Sequence, residues 1–418
     1  MNLGFLNTSK IDQSKFIAVV LLNLGALSWF FIINFYLADI FNILVPPRPP
    51  DPSWAVTIGN SLIYGFTIFW SVTVSFIGGK INRRQLLLAS TILGIFSTIL
   101  LAFAEGPLFA AIVASLIGTS LGLGLPASMA LVADNTVVEN RGRASGILIL
   151  ATFIIAFTCM AICRTLGFDT SFDLSVMVLI LVGVRSISLF PLVLGKFDRS
   201  LKTVEKKIRL SATAYREFIF YLIPWFIFTI ASSLAYSLIS AANLAEGVYV
   251  GDTLKYVFIA VFGLVAGFMA DRYGRKQPII LGLAIFGVGY LLLGFGIGEL
   301  AVNIYSALSG VTWGLFFVIF LAVPGDLSTP ILREKFYALG YILPVTALFA
   351  LSAIQVENIG DILPPETIAQ ILGICLFLAM YPVFRAKETL TQGKIRERKM
   401  KEYVEKLGKA IQETEKNE

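Results

Sequence analysis

The sequence predicts an all-α protein that crosses a membrane twelve times, built as two six-helix repeats with both termini on the cytoplasmic side. Composition, the placement of basic residues and an internal repeat predict it. Of 418 residues, 57% are hydrophobic and only 14% charged, with a mean hydropathy of +0.81. Soluble domains are about 45–50% apolar and about 25% charged. A soluble enzyme, a disordered chain and a disulfide scaffold are excluded. Apolar runs lie at 16–45, 54–78, 86–104, 107–132, 145–166, 173–194, 218–245, 255–270, 278–298, 300–324, 336–356 and 365–384. Each suits the roughly 20 residues of a helical span. They are continuous, unlike the alternating ten-residue segments of a β-barrel.

Basic residues set the orientation. Of the 33 Lys and Arg, 29 fall in the N-terminal segment, the linker, the tail or alternate loops. The opposite side holds Arg48, Arg164 and Lys255, while Arg185 lies within span 6. This places both termini in the cytoplasm, and the net charge of +6 is that bias rather than a nucleic-acid footprint. Residues 1–15 lack the apolar core of a signal peptide. A multi-pass protein of the plasma membrane is expected.

Six spans precede the basic stretch 196–217 and six follow. At an offset of 192, Gly118 maps to Gly310, Gly122 to Gly314, Asp134 to Asp326 and Arg141 to Arg333, and the loop after span 2 maps onto that after span 8. At 191, Pro191 maps to Pro382. The expected organisation is an N-terminal bundle (1–195), an amphipathic linker (196–217), a C-terminal bundle (218–386) and a charged tail (387–418). Parallel six-helix repeats with a site at their interface are a transporter architecture.

These residues resemble the major facilitator superfamily (MFS) of transporters to about Leu390. The most specific element is Gly267-x-x-x-Asp271-Arg272-x-Gly274-Arg275-Lys276, similar to the family's cytoplasmic loop signature. In the first half Ser75, Gly79 and Asn82 replace its glycines and aspartate. The segment from Asp134 through Arg141 and Arg143 to Gly146 looks like the family's loop between spans 4 and 5. The resemblance implies two bundles rocking about a cavity lined by spans 1, 4, 7 and 10. Asp271, Arg272, Gly274, Arg275, Asp134, Arg141 and Arg143 then form a cytoplasmic latch, since carboxylates bond both arginines and helix N-termini. Charge that merely sets topology is the competing reading. Because Gly79 carries no carboxylate, the latch is expected to be asymmetric.

Span 7 carries Trp225, Thr229, Ser233, Tyr236, Ser240 and Asn243 at steps of three and four, a polar stripe on one helical face. Such groups need protein or water as partners, so this stripe is expected to line the substrate cavity. Asn23, Phe30 and Asn34 of span 1, Thr119 of span 4, Ser309 and Trp313 of span 10 and Tyr341 of span 11 join it. For span 2 (Asn60, Tyr64, Thr67, Ser71) and span 4, helix–helix packing is an equal alternative. Uncharged hydroxyls, amides and aromatics suit a neutral or weakly charged organic molecule.

Intramembrane charges are Asp39 and Arg185, which pair if spans 1 and 6 adjoin, and Glu246 near an outer end. With no histidine and no GxxxxGK[ST] loop, the expectation is secondary active or facilitated movement of a small organic solute by alternating access. Protons are a candidate coupling ion. A proton-coupled drug or metabolite antiporter and a sugar-type symporter are alternatives. The family's antiporter pattern is missing from span 5, span 4 has no arginine, and Lys387-Glu388-Thr389-Leu390 only echoes a sugar-porter ending. A receptor or intramembrane enzyme is remoter, as no catalytic constellation is present. No cofactor, metal or nucleic-acid partner is expected, and the chain is read as a monomer in lipid. Cys159, Cys163 and Cys375 read as small apolar groups.

Overall fold

The computed structural model describes residues 13–45, 54–77, 81–165, 174–194, 212–241, 245–296, 298–354 and 363–390. The loop at Pro46–Pro50, most of the linker and the charged tail lie outside them. Every regular element in the described residues is a helix, and twelve spans are long and apolar enough to cross a membrane. The protein is a multi-pass membrane protein.

The first half contains α1 (Gln13–Phe35), α2 (Leu37–Leu44), α3 (Trp54–Ile77), α4 (Arg83–Leu101), α5 (Gly106–Asp134), α6 (Arg141–Thr165), α7 (Leu174–Ser186) and α8 (Leu189–Val193). The second contains α9 (Ala212–Ala241), α10 (Ala245–Tyr273), α11 (Lys276–Phe295), α12 (Glu299–Leu327), α13 (Arg333–Ile354), α14 (Pro365–Leu378) and α15 (Met380–Arg385). The run predicted as one long first span breaks at Tyr36, so α2 is a separate short helix and Asp39 lies beyond the span. Spans 6 and 12 each break near their ends, before Pro191 in α8 and Pro382 in α15. A proline has no N–H to donate and its ring crowds the carbonyl four residues back. The repeat seen in sequence at these prolines is therefore a repeated kink.

The strongest regularity is glycine-mediated. α5 lies against α3, and α12 against α10. A Cβ on Gly118 would overlap the Ile63 carbonyl and Phe66, and one on Gly310 would overlap the Lys255 carbonyl and Phe258. A Cβ on Gly122 would meet Thr67 O at 2.6 Å, and one on Gly314 would meet Ile259 O at 2.8 Å. Every partner pair is again 192 residues apart. Without side chains at these glycines, backbones approach closely enough for Thr67 Oγ1 to donate to Gly118 O (3.1 Å) and Ser71 Oγ to Gly122 O (3.3 Å). The Thr67 and Ser71 part of the span 2 stripe is here helix–helix packing.

The halves meet along α6 with α10 and along α3 with α13, two contacts that the repeat exchanges. The first is closer. Gly142 and Gly146 face Gly263 and Gly267, and a Cβ on Gly267 would meet Gly142 O at 2.6 Å. Large apolar side chains such as Phe69, Phe76, Phe103, Leu108 and Phe295 stay on the outside, which is the surface that lipid covers.

Gly118→Val and Gly310→Val are each expected to cost about 1–3 kcal/mol through overpacking and to lower the melting temperature in detergent. Gly183 has open space where its Cβ would sit, so Gly183→Ala should leave melting unchanged or raise it. Equal melting of all three variants would contradict the close-approach assignment.

Candidate functional site

Two zones lie between the halves: a charge network at the end of the bundle where α5, α6, α12 and α13 meet, and an aromatic zone in the middle. In the network, Asp326 ends α12 between two arginines. Arg141 of α6 reaches its Oδ1 across the interface, and Arg275 Nε donates to Oδ2 at 2.9 Å. The same arrangement recurs 192 residues earlier. Asp134 ends α5 between Arg83 from its own half and Arg333 from α13 of the other. Each aspartate thus receives one arginine from each half.

Two arginines on one acid leave a surplus positive charge, and each set contains a second carboxylate. On the Asp326 side it is Asp271, which accepts from Arg275 Nη1 at 2.8 Å and from the Gly142 and Arg143 amides at 2.9 Å. Those amides are the free N–H groups of the first turn of α6, where helix polarity favours an anion. On the Asp134 side it is Glu334, which accepts from Arg83 Nε. The asymmetry expected from Gly79 is therefore confined to one position. Where Arg275 has a carboxylate from its own half, Arg83 receives one from across the interface. Glu334 sits at the repeat position of Gly142, so a carboxylate lost on one helix is met by one gained on the facing helix.

Asp271, Arg275 and Asp326 are fully shielded from solvent, whereas Asp134, Arg83 and Arg333 keep 15–18% of their side-chain surface. Burial alone disfavours the Arg275 charge, but the carboxylates of Asp326 and Asp271 outweigh it and hold the guanidinium above its ordinary pKa. Arg275 Nη2 also donates to Val138 O (2.6 Å), tying α11 to the loop before α6. Gly274 takes φ +103°, and the Glu388 carboxylate occupies the place of its missing Cβ. Glu388 accepts from the Arg275 amide (2.7 Å), and Thr389 donates to Asp326 Oδ2 (3.0 Å). The segment after the last span is thus wired to the network. Arg272 is exposed and lies 5.4 Å from its neighbour Tyr273's ring centroid, outside the buried set. Sequence reasoning left out Arg83, Asp326, Arg333, Glu334 and Glu388 as network members. The repeat offset carried the signal for three of them: Asp326 and Arg333 mirror Asp134 and Arg141, and Arg83 mirrors Arg275.

The aromatic zone joins the halves through Phe30–Tyr341 (6.4 Å between centroids), Phe31–Phe317 (5.4 Å), Phe153–Phe317 (5.9 Å) and Phe35–Tyr256 (5.7 Å). Asn34 Oδ1 accepts from Tyr64 Oη at 3.0 Å, and Tyr341 Oη is buried with no hydrogen-bond partner. Trp313 continues the zone through Phe317 (4.9 Å) and donates to Ser232 Oγ at 2.9 Å. Phe30, Asn34, Trp313 and Tyr341 of the expected lining are therefore brought together, partly open. Thr119 and Ser233 are also partly open, but their hydroxyls bond back to their own helices.

Other expected lining residues are packed away. Asn23 is fully buried and donates to Ser128 O (3.0 Å), binding α1 to α5. Trp225 is buried against Phe320 (4.5 Å) and donates to Gly340 O (3.1 Å). Thr229 and Ser309 are buried as well. The side chains of Tyr236, Ser240 and Glu246, and all of Asn243, lie outside the described residues. Phe31, Phe153, Tyr256 and Phe317 went unread because an aromatic in an apolar run looks the same facing lipid or the interface. The conditional Asp39–Arg185 pair is not formed: Asp39 is exposed in α2, and Arg185 is buried among Ser90, Ser120 and Trp29.

No protein-family model matches the chain. Multidrug resistance protein 2 of Bacillus subtilis is 33% identical over 99 residues, 22% of this chain and 24% of that protein. An uncharacterized MFS-type transporter of Methanocaldococcus jannaschii is 30% identical over 100 residues, 24% of this chain and 25% of that one. The chain thus matches about a quarter of the length of each. Solved structures match nearly throughout. The proton:xylose symporter XylE superposes with a TM-score of 0.69 at 14% identity, covering 90% of this chain and 97% of that one. FucP in its outward conformation gives 0.66 at 13% identity, covering 89% and 98%. The human organic anion transporter MFSD10 gives 0.63 at 12% identity, covering 89% and 99%. With twelve spans, a repeat that exchanges its own contacts and these neighbours, the chain has the fold of the major facilitator superfamily.

Proposed function

We propose that this protein is a secondary transporter that moves a small organic solute by alternating access, and that the closed charge network corresponds to its inward-closed state. The observation that carries the reading is the paired network, in which Asp134, Asp271 and Asp326 each bond arginines or amides of both halves and Glu334 bonds Arg83 across the interface. Ion pairs between rigid bundles suit a reversible gate. They are worth much when dry and geometrically matched, and little once water enters. The excess of basic residues in the loops at this end supports a cytoplasmic position for it and for both termini, and we take the membrane to be the plasma membrane. The four domains run as the repeat divides them: bundle, linker, bundle and tail.

The cargo meets the aromatic zone. Phe30, Phe31, Phe153, Trp313 and Phe317 offer ring faces, with Asn34, Tyr64 and the unpartnered Tyr341 hydroxyl as its polar edge. Among the described residues no carboxylate or arginine belongs to it, and Lys255 stands at its edge, 6.0 Å from the Trp313 ring centroid, so a neutral, partly aromatic solute with one hydroxyl or carbonyl fits better than a polyanion. That chemistry favours a drug- or metabolite-type cargo, in keeping with the name of the Bacillus relative, over a polyol. The acids with assigned bonding partners in the interface are committed to the gate, and Asp39 lies outside it. Movement down the solute's own gradient is accordingly the simplest mode, and catalysis plays no part in it.

Two measurements test this. In protein with its natural cysteines replaced, Ala133→Cys sits buried beside Gly325 at the gate and should label slowly with a thiol reagent from the cytoplasmic side. Asp326→Asn leaves Arg141 and Arg275 without their shared acid and should speed that labelling at least tenfold; an unchanged rate contradicts the gate. In proteoliposomes at equal pH on both sides, a solute that raises the melting temperature of the purified protein should exchange. Phe30→Ala should weaken its apparent affinity about tenfold, and wild-type affinity in this variant would displace the site.

A further inference from the structure

Arg185 is a cation that the gate and the aromatic zone leave unused. It lies 3% exposed at the end of α7, where span 6 kinks, and among α1, α4 and α5. Its guanidinium lies 4.9 Å from the Trp29 ring centroid, a favourable but partial compensation. Its hydrogen bonds all run through Nη2: to Ser90 O (3.3 Å), Ser90 Oγ (3.1 Å) and Ser120 Oγ (3.3 Å). Nε is buried with no hydrogen-bond partner. Among the described residues no carboxylate pairs with it. Arginine remains protonated in proteins, so a full positive charge is enclosed at membrane depth against neutral groups alone. Such a charge is costly unless paired.

Beside it is a cavity of about 10 Å³, lined by Arg185, Ser90, Thr91, Ser120, Gly124 and Ser128 together with leucines. That is room for one particle of about water size. The packing keeps this space: a Cβ on Gly124 would overlap Ser90 Oγ, and one on Gly94 would stand 2.7 Å from Arg185 Nε. Four hydroxyls rim it, and each now donates one bond to a main-chain carbonyl. Ser90 donates to Ser120 O (3.1 Å), Ser120 to Ser90 O (2.8 Å), Thr91 to Leu87 O (2.8 Å) and Ser128 to Leu125 O (3.0 Å). A hydroxyl proton rotates about its C–O bond, so these groups are able to donate to an occupant instead. The repeat positions in the second half are built differently. At the repeat positions of Ser90 and Ser120 stand Gly282 and Thr312, joined by one direct bond of 3.1 Å, and Phe316 packs against Gly282.

We propose that this cavity is a binding site for a single halide-sized monovalent anion, held by the Arg185 guanidinium and the surrounding hydroxyls. The anion supplies the counter-charge that the protein does not. It sits within the first bundle, apart from the solute zone, and its binding does not depend on the transport reading.

The test uses the full chain in detergent at constant ionic strength, with gluconate exchanged for chloride, bromide or sulfate. Chloride and bromide should raise the melting temperature saturably, by about 3 °C at a hundredfold excess over Kd, and sulfate, being too large, should not. Radiolabelled chloride should bind at one per chain and be lost in Arg185→Met. Thr91→Leu, which fills the cavity but keeps the arginine, should lose it too. Bromide-soaked crystals should show an anomalous peak between Arg185 and Ser128. Melting that ignores the choice of anion, chloride retained by both variants, or a bromide peak elsewhere would overturn the proposal and leave the cavity to water.

Discussion

An aspartate held between two arginines, one from each half of the molecule, is the constraint on which the arrangement of this protein depends. Asp134 and Asp326 occupy equivalent helix ends, and each satisfies its two oxygens from opposite sides of the interface. Neither half can complete its own set. Each set approaches neutrality only when further carboxylates are counted: Glu334 in one, and in the other Asp271 and Glu388, where Arg143 also lies 3.8 Å from Asp271. In such a cluster mutual attraction offsets much of the desolvation cost of the buried charges, and on the proposed reading it would separate into two hydrated surfaces when the halves part. That combination would hold one state without making it permanent.

For both clusters to close together, the two halves must present the same geometry. The glycines of α5 and α12 provide it, since each lets its helix settle at backbone contact on α3 or α10 at positions 192 residues apart. Helix ends fixed that way put Asp134 and Asp326 at matching heights. The departures from symmetry are local and compensated. Gly142 and Gly146 let α6 press onto α10, where Asp271 caps the α6 N-terminus. On the opposite side the interface relies on Glu334 instead.

Much of this was legible in the sequence. Continuous apolar runs dictate twelve spans because lipid offers no partner to exposed backbone, and the 192-residue offset exposes the repeat. The network around Asp271, Arg275, Asp134 and Arg141 was readable from loop chemistry. What stayed hidden depends on which way a helix faces. Thr67 and Ser71 look like cavity lining in a helical projection, yet their hydroxyls bond across to α5. Trp225 and Thr229 belong to the span 7 stripe but turn into the second bundle. A polar stripe states that a face avoids lipid, not whether protein or water meets it. Arg185 shows the same limit: its depth was evident, while its neighbours turned out to be serines and a tryptophan rather than Asp39.

The charge clusters are proposed as the lock between two bodies that otherwise separate at this end. Gln85 and Gln277 are exposed repeat mates in the first turns of α4 and α11, and both adjoin the clusters. Spin labels at these two positions in lipid nanodiscs, read by pulsed double electron resonance, measure the separation directly. The account predicts one short distance in the otherwise unaltered protein and a second, longer population when Asp326→Asn is introduced. An identical distance distribution in the two proteins would contradict it.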